Sequence, residues 1–128
     1  MSVNLEMNVL IVDDYRTMLR IIGKLLNQIG FNHVLEATDG NAALGLLREK
    51  EVGLIISDWN MEPMTGLQLL RTVRADEKLK TTPFIMVAAE GKTEIAAMAK
   101  AAGVDNFIAK PFNAETLKMK IASVLGQF

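Results

Sequence analysis

Four short apolar runs in this chain each stop at residues able to do chemistry. VLIV ends at Asp13-Asp14, LIIS ends at Asp58, FIMV runs into Ala88, Ala89 and Glu90, and FIA ends at Lys110-Pro111. If the runs are parallel strands of one sheet, their carboxyl ends share an edge, and open α/β sheets place their ligands at that edge. Three aspartates and one lysine then converge. Two carboxylates ~4 Å apart repel by roughly 4 kcal/mol at an effective dielectric of about 20. A hard divalent cation relieves that repulsion, and an oxygen-only donor set points to Mg²⁺. The pocket to explain is acidic, suited to a metal and flanked by one lysine.

Alternating strands and helices must position these groups. Residues 7–12 form a nearly unbroken apolar run, as expected of a strand buried on both faces. Residues 15–29 follow with Met18, Leu19, Ile22, Leu25, Leu26 and Ile29 at helical spacing, closed by Gly30. A second strand is expected over 33–37, and Asp39-Gly40 turns into a helix over 41–48. The third strand, 54–57, is the most apolar and therefore central. A loop over 59–65 leads to a helix over 66–74 that buries Leu67, Leu70 and Val73. Strands over 84–87 and 106–109 flank an alanine-rich helix over 93–102, which Gly103 ends. Asn113 caps a last helix whose buried stripe is Leu117, Ile121, Val124 and Leu125. Five such units with short loops predict a doubly wound α/β fold with a parallel sheet.

Composition narrows the function. The length of 128 residues fits a single domain spanning 1–128 with a sizeable core. A net charge of −1 supplies no basic stripe, so nucleic-acid binding is not expected. The absence of cysteine excludes disulfides, thiolate catalysis and zinc-thiolate sites together. No apolar run approaches the ~20 residues of a membrane span, and the start MSVNLEMN does not read as a secretory signal, so a cytoplasmic location is expected. Acids also stand where a dinucleotide site would carry its glycine-rich turn, and acids repel pyrophosphate.

Each candidate has a plainer reading. Asp13 or Asp14 could merely cap the first helix, Asp58 could be an ordinary strand-end aspartate, and Lys-Pro is a common turn dipeptide. Their coincidence on adjacent strands favours a site. Lone His33 reads as structural or solvent-facing, the eight methionines as core packing, and Lys118 and Lys120 as a solvated helix face.

With VLIVDD, ISDWNM, MTGLQLLRTVRAD and KPF in hand, the chain resembles the receiver domains of two-component response regulators, most of all the stand-alone chemotaxis type. The resemblance implies a flavodoxin-like fold, its five parallel strands in the order 2-1-3-4-5, with Asp58 as phosphoacceptor. It further implies that Asp13, Asp14, Asp58 and the Asn60 backbone carbonyl bind Mg²⁺, and that Lys110 contacts the phosphoryl group. Asn60 and Glu90 are then the positions that tune its hydrolysis. The implied partners are a histidine kinase and an output protein, docked where the fourth helix, fifth strand and fifth helix meet. The protein is expected to act as a monomer that is phosphorylated rather than as an enzyme. A haloacid-dehalogenase-type phosphatase would need a second aspartate two places after the nucleophile, where this chain has Asn60.

Two positions depart from the family pattern. Ala88 stands where a threonine or serine would bond the phosphoryl group and draw the aromatic residue of the fifth strand, here Phe107, inward. Phosphorylation should survive that change, whereas conformational readout should weaken, which makes a phosphate sink or phosphoryl carrier the alternative function. In MEPM the proline has moved one place along, which puts Glu62 in the loop beside the site.

Overall fold

The computed structural model describes residues 3–89 and 93–128. Strands β1 (Asn8–Val12), β2 (His33–Ala37), β3 (Leu54–Asp58), β4 (Phe84–Ala89) and β5 (Asn106–Lys110) pair in parallel in the order β2-β1-β3-β4-β5. Helices α1 (Arg16–Ile29), α2 (Gly40–Glu49), α3 (Gly66–Ala75) and α4 (Thr93–Ala101) make the crossovers, and α5 (Ala114–Leu125) follows the last strand. The expected doubly wound α/β fold is present, with β3 at its centre and all five β3 residues buried.

Period-two alternation along the strands divides the core into two layers. Val9 and Ile11 of β1 face α1 and α5, where they meet Leu19, Ile22, Leu26, Leu117 and Ile121. Leu10 and Val12 face the other way, into a cluster with Leu44, Leu47, Leu69, Leu70 and Val73 of α2 and α3 and Ala99 of α4. The helices form because their apolar residues recur at the helical period and fill one side each. Gly30 ends α1 at φ 128°, a backbone region in which a side chain is strained. Asp39 and Asn113 cap α2 and α5 by accepting from the Ala42 and Thr116 N–H groups.

Three strands run further than their apolar patterns. β3 includes Asp58, β4 reaches Ala89 and β5 includes Lys110, because the ladder pairs Asp58 with Val87 and Ala89 with Lys110. Backbone hydrogen bonds do not depend on side-chain polarity, so Asp58 and Lys110 are themselves strand residues.

At the opposite edge of the sheet, Arg74 ties α3 to two loops. Its guanidinium donates to the Gly103, Lys80 and Thr82 carbonyls and to Asp105 Oδ2 at 2.9 Å, and the same carboxylate accepts from the Phe84 N–H. The first and last described residues meet on this edge. The Val3 N–H donates to the Gln127 carbonyl at 2.7 Å, and the Phe128 ring stands edge-on to buried Phe31 at 5.9 Å. Lys118 lies over that Phe128 ring, so it is not simply a solvated residue. His33 pairs with Glu6 at 3.1 Å in an exposed position.

Candidate functional site

Asp13 follows β1 directly, and its N–H donates to the Ala37 carbonyl of β2. Its Oδ1 accepts from the Tyr15 N–H at 2.9 Å, so the carboxylate is aimed by the turn that enters α1. The N-cap of α1 is Tyr15, whose side chain makes no capping bond, so neither Asp13 nor Asp14 serves as that cap. Asp13 Oδ2 is buried and has no hydrogen-bond partner among the described residues. Asp14, the next residue, is exposed.

Asp58 closes β3 and is buried at 7% exposure. The following peptide is fixed, because the Trp59 N–H donates to the Val87 carbonyl at 2.8 Å. Lys110 closes β5, and its Nζ lies 2.9 Å from Asp58 Oδ1 and 3.7 Å from Asp13 Oδ2. The Lys110-Pro111 peptide is cis. One carboxylate oxygen from each of Asp13, Asp14 and Asp58 falls within 4.8 Å of the others. The three aspartates and the lysine read from the sequence are therefore brought together.

Burial dominates the electrostatics. It pushes the Asp13 and Asp58 carboxyls above the ordinary value of 3.8, more than the Tyr15 N–H lowers the first or the Lys110 bond lowers the second. Like charge adds to both upward shifts, from Asp58 and Asp14 at Asp13 and from Asp14 at Asp58. An oxygen-only set with an unpartnered buried carboxylate oxygen fits a hard divalent cation, whose charge would offset both burial and repulsion.

A cleft of about 370 Å³ opens beside Asp58, and its described lining is Asp58, Trp59, Asn60, Ala88, Ala89, Ile95 and Lys110. Asn60 is exposed at its mouth, while Trp59 is half-buried against the α2–α3 core. Ala88 is buried and pairs with Ala109 across the ladder, so no hydroxyl reaches the cleft from that position. Phe107 pairs with Met86 and packs, half-buried, on the same core cluster. Glu62 is exposed. Glu90 lies outside the described residues.

The loop after Asp58 is pinned by residues that the sequence reading passed over. Met61 is fully buried, and Met64 packs so closely on Gly40 at the start of α2 that a side chain there would overlap it. Thr65 and Gln68 form a reciprocal capping box on α3. The T-x-x-Q spacing of TGLQ is a legible signal for that box. The Met64 contact has no local signature, since it joins residues far apart in sequence.

The sequence matches the model of the response regulator receiver domain over residues 9–122. It is 46% identical over 121 residues to chemotaxis protein CheY-3 of Vibrio cholerae, covering 94% of this chain and 93% of the relative. It is 48% identical over 118 residues to chemotaxis protein CheY of Pseudomonas aeruginosa, covering 92% and 95% of the two chains. Among solved structures, Vibrio cholerae chemotaxis protein CheY4 superposes with a TM-score of 0.87 at 35% identity, covering 94% of this chain and 99% of the other. With strand order, site placement and sequence in agreement, the chain belongs to the response regulator receiver domain family.

Proposed function

We propose that this chain is a single-domain response regulator, phosphorylated on Asp58 by a histidine kinase and signalling through protein–protein contact in a chemotaxis pathway. The observation that carries the reading is the Lys110 ammonium 2.9 Å from Asp58 Oδ1, inside a trio of aspartates at one sheet edge. The names of the relatives from Vibrio cholerae and Pseudomonas aeruginosa support the pathway. A cytoplasmic monomer goes with this reading.

The side chains of Asp13, Asp14 and Asp58, with the Asn60 backbone carbonyl, would hold Mg²⁺. When bound, Mg²⁺ supplies positive charge that offsets the charge of the phosphoryl oxygens. An Asp58 oxygen attacks phosphorus as the phosphorus–nitrogen bond of the donor phosphohistidine breaks, and the histidine nitrogen keeps the electron pair and takes up a proton. Lys110 stabilises the negative charge on the transferring group. The product is an acyl phosphate, reactive enough to be hydrolysed, which suits a switch. Asn60 and Glu90 are the positions that tune that hydrolysis. The chain modifies and resets its own side chain and turns over no separate substrate. Output falls to the face made by α4, β5 and α5.

Incubation with a small acyl phosphate and Mg²⁺ tests the reading. Intact mass should show one added phosphoryl group, and Asp58→Asn should abolish it. If Asp58→Asn labels as fast as the wild type, the phosphoacceptor is another residue. A second reading, a phosphate sink with little conformational output, is favoured by Ala88 alone.

A further inference from the structure

Gly66 is the first residue of α3, immediately after the loop that leaves Asp58. Its N–H donates to the Trp59 carbonyl at 2.9 Å and so closes that loop. The turn is held from outside by the capping box, in which the Gln68 N–H donates to Thr65 Oγ1 at 3.1 Å and the Thr65 N–H donates to Gln68 Oε1 at 2.8 Å. A methyl group on Gly66 would overlap the Asp58 carbonyl oxygen. It would also stand 3.0 Å from the Asp58 carbonyl carbon and 2.9 Å from Met86 Sδ.

The obstructing atoms at Asp58 are backbone, so no change of rotamer relieves the overlap. Nor can the Asp58-Trp59 peptide simply retreat, because the Trp59 N–H is bonded to the Val87 carbonyl of β4. The peptide that carries the Asp58 side chain is thus clamped between β4 and the first turn of α3. Backbone conformation does not account for the glycine: Gly66 is absent from the glycines with positive φ, and alanine is the better helix former. Close approach does account for it.

We infer that Gly66 is a positioning residue for phosphoryl transfer: by carrying no side chain, it lets α3 seat on the Asp58 carbonyl and sets where the Asp58 carboxylate stands against Lys110 and Asp13. The inference rests on Asp58 being the phosphoacceptor. Displacing a reacting group by about 1 Å can slow a reaction by ~100-fold.

Two other glycines supply controls. A methyl on Gly45 would touch nothing within 4 Å, and one on Gly53 would meet the Met7 sulfur at 2.5 Å, beside the start of β1 on the edge opposite the site. The test compares Gly66→Ala, Gly53→Ala and Gly45→Ala in the full chain. Labelling by acetyl phosphate with Mg²⁺ is followed by intact mass at a temperature where every variant is folded by circular dichroism. Under that condition lost stability alone changes no labelling rate. Gly66→Ala should label about 10- to 100-fold more slowly than the wild type, and the other two should label at the wild-type rate. Wild-type labelling by Gly66→Ala, or equal slowing by Gly53→Ala, overturns the inference. If Gly66→Ala does not fold, Thr65→Ala carries the test, because it removes the hydroxyl that holds the same turn and adds no clash. Slower labelling of folded Thr65→Ala supports the inference, and an unchanged rate overturns it. Failure of the wild type to label at Asp58 would instead strike the reading of the phosphoacceptor.

Discussion

Lys110 Nζ meets Asp58 Oδ1 at 2.9 Å but stands 3.7 Å from Asp13 Oδ2, so one ammonium serves two buried carboxylates and bonds only one of them. Both acids have carboxyls raised above 3.8, chiefly by burial. The folded state therefore holds these protons more tightly than the unfolded chain. Their contribution to stability is fully present below 3.8 and is lost as pH rises through the raised folded values. Without metal, ionising these two buried carboxyls as pH rises costs stability.

Asp13→Asn should accordingly raise the melting temperature of metal-free protein at pH 7. The gain should shrink as pH falls, because the raised Asp13 carboxyl of the wild type takes up its proton in the folded state. Added Mg²⁺ should stabilise the wild type and leave the variant nearly unchanged. Melting curves of both proteins between pH 4 and 7, with and without Mg²⁺, check this. A variant that is less stable than the wild type throughout, without metal, would refute it.

Trp59 follows Asp58 and is half-buried beside the acids, so it should report the metal. Titrating Mg²⁺ should change its emission in the wild type and in Lys110→Ala, but not in Asp58→Asn. Lys110→Ala should label with acetyl phosphate roughly 10²–10³-fold more slowly, since it removes charge stabilisation from the transferring group. Loss of the fluorescence response in Lys110→Ala would place the lysine in metal binding instead.

Ala88 sits on β4, between the strand that carries Asp58 and Ala109 of β5, offering only methyl groups across the ladder. A threonine hydroxyl there would add a hydrogen bond to a charged phosphoryl oxygen, worth roughly 1.5–3 kcal/mol. Only a difference in affinity between two conformations shifts their balance, and ~2 kcal/mol of it corresponds to about thirtyfold. Ala88→Thr should therefore enlarge the effect of phosphorylation on partner affinity. The comparison is partner binding by phosphorylated and unphosphorylated protein, for both sequences. A hundredfold or greater change in the wild type, with nothing added by threonine, rules out a weakened switch.

Arg74→Ala should destabilise the fold by about 2–3 kcal/mol, because hydrogen bonds to a charged group are lost and Asp105 keeps its carboxylate without the guanidinium. The Arg74 side chain is 19% exposed and Asp105 is 42% exposed, which keeps the figure below that of a fully buried pair. Chemical denaturation measures it, and labelling at Asp58 should be unaffected in the folded variant.

The fold was legible because its signals are local. Helical spacing in α1, apolar runs in the strands, Gly30 and Asn113 each act within a few residues, and the structure has them as read. Strand ends were less legible. Asp58, Ala88, Ala89 and Lys110 belong to strands through pairing with neighbours, which side-chain polarity does not reveal. The acid trio and Lys110 could be placed because parallel strands present their carboxyl ends together. Arg74, Met64 and Gly66 could not, because each acts through a contact with another segment. From the sequence, Gly66 reads only as the first residue of the helix expected over 66–74.

The bond between Val3 and Gln127 has a practical corollary. Both chain ends lie where the strands begin, since β1 starts near one and α5 runs back to the other. A short covalent linker could join them, with new termini cut in the turn at residues 50–53 on the same side. Such circular permutation is tolerated where ends are close and exposed. Tags, fusion partners or surface anchors attached beside Val3 or Phe128 would likewise project away from the acidic pocket and leave its approaches open.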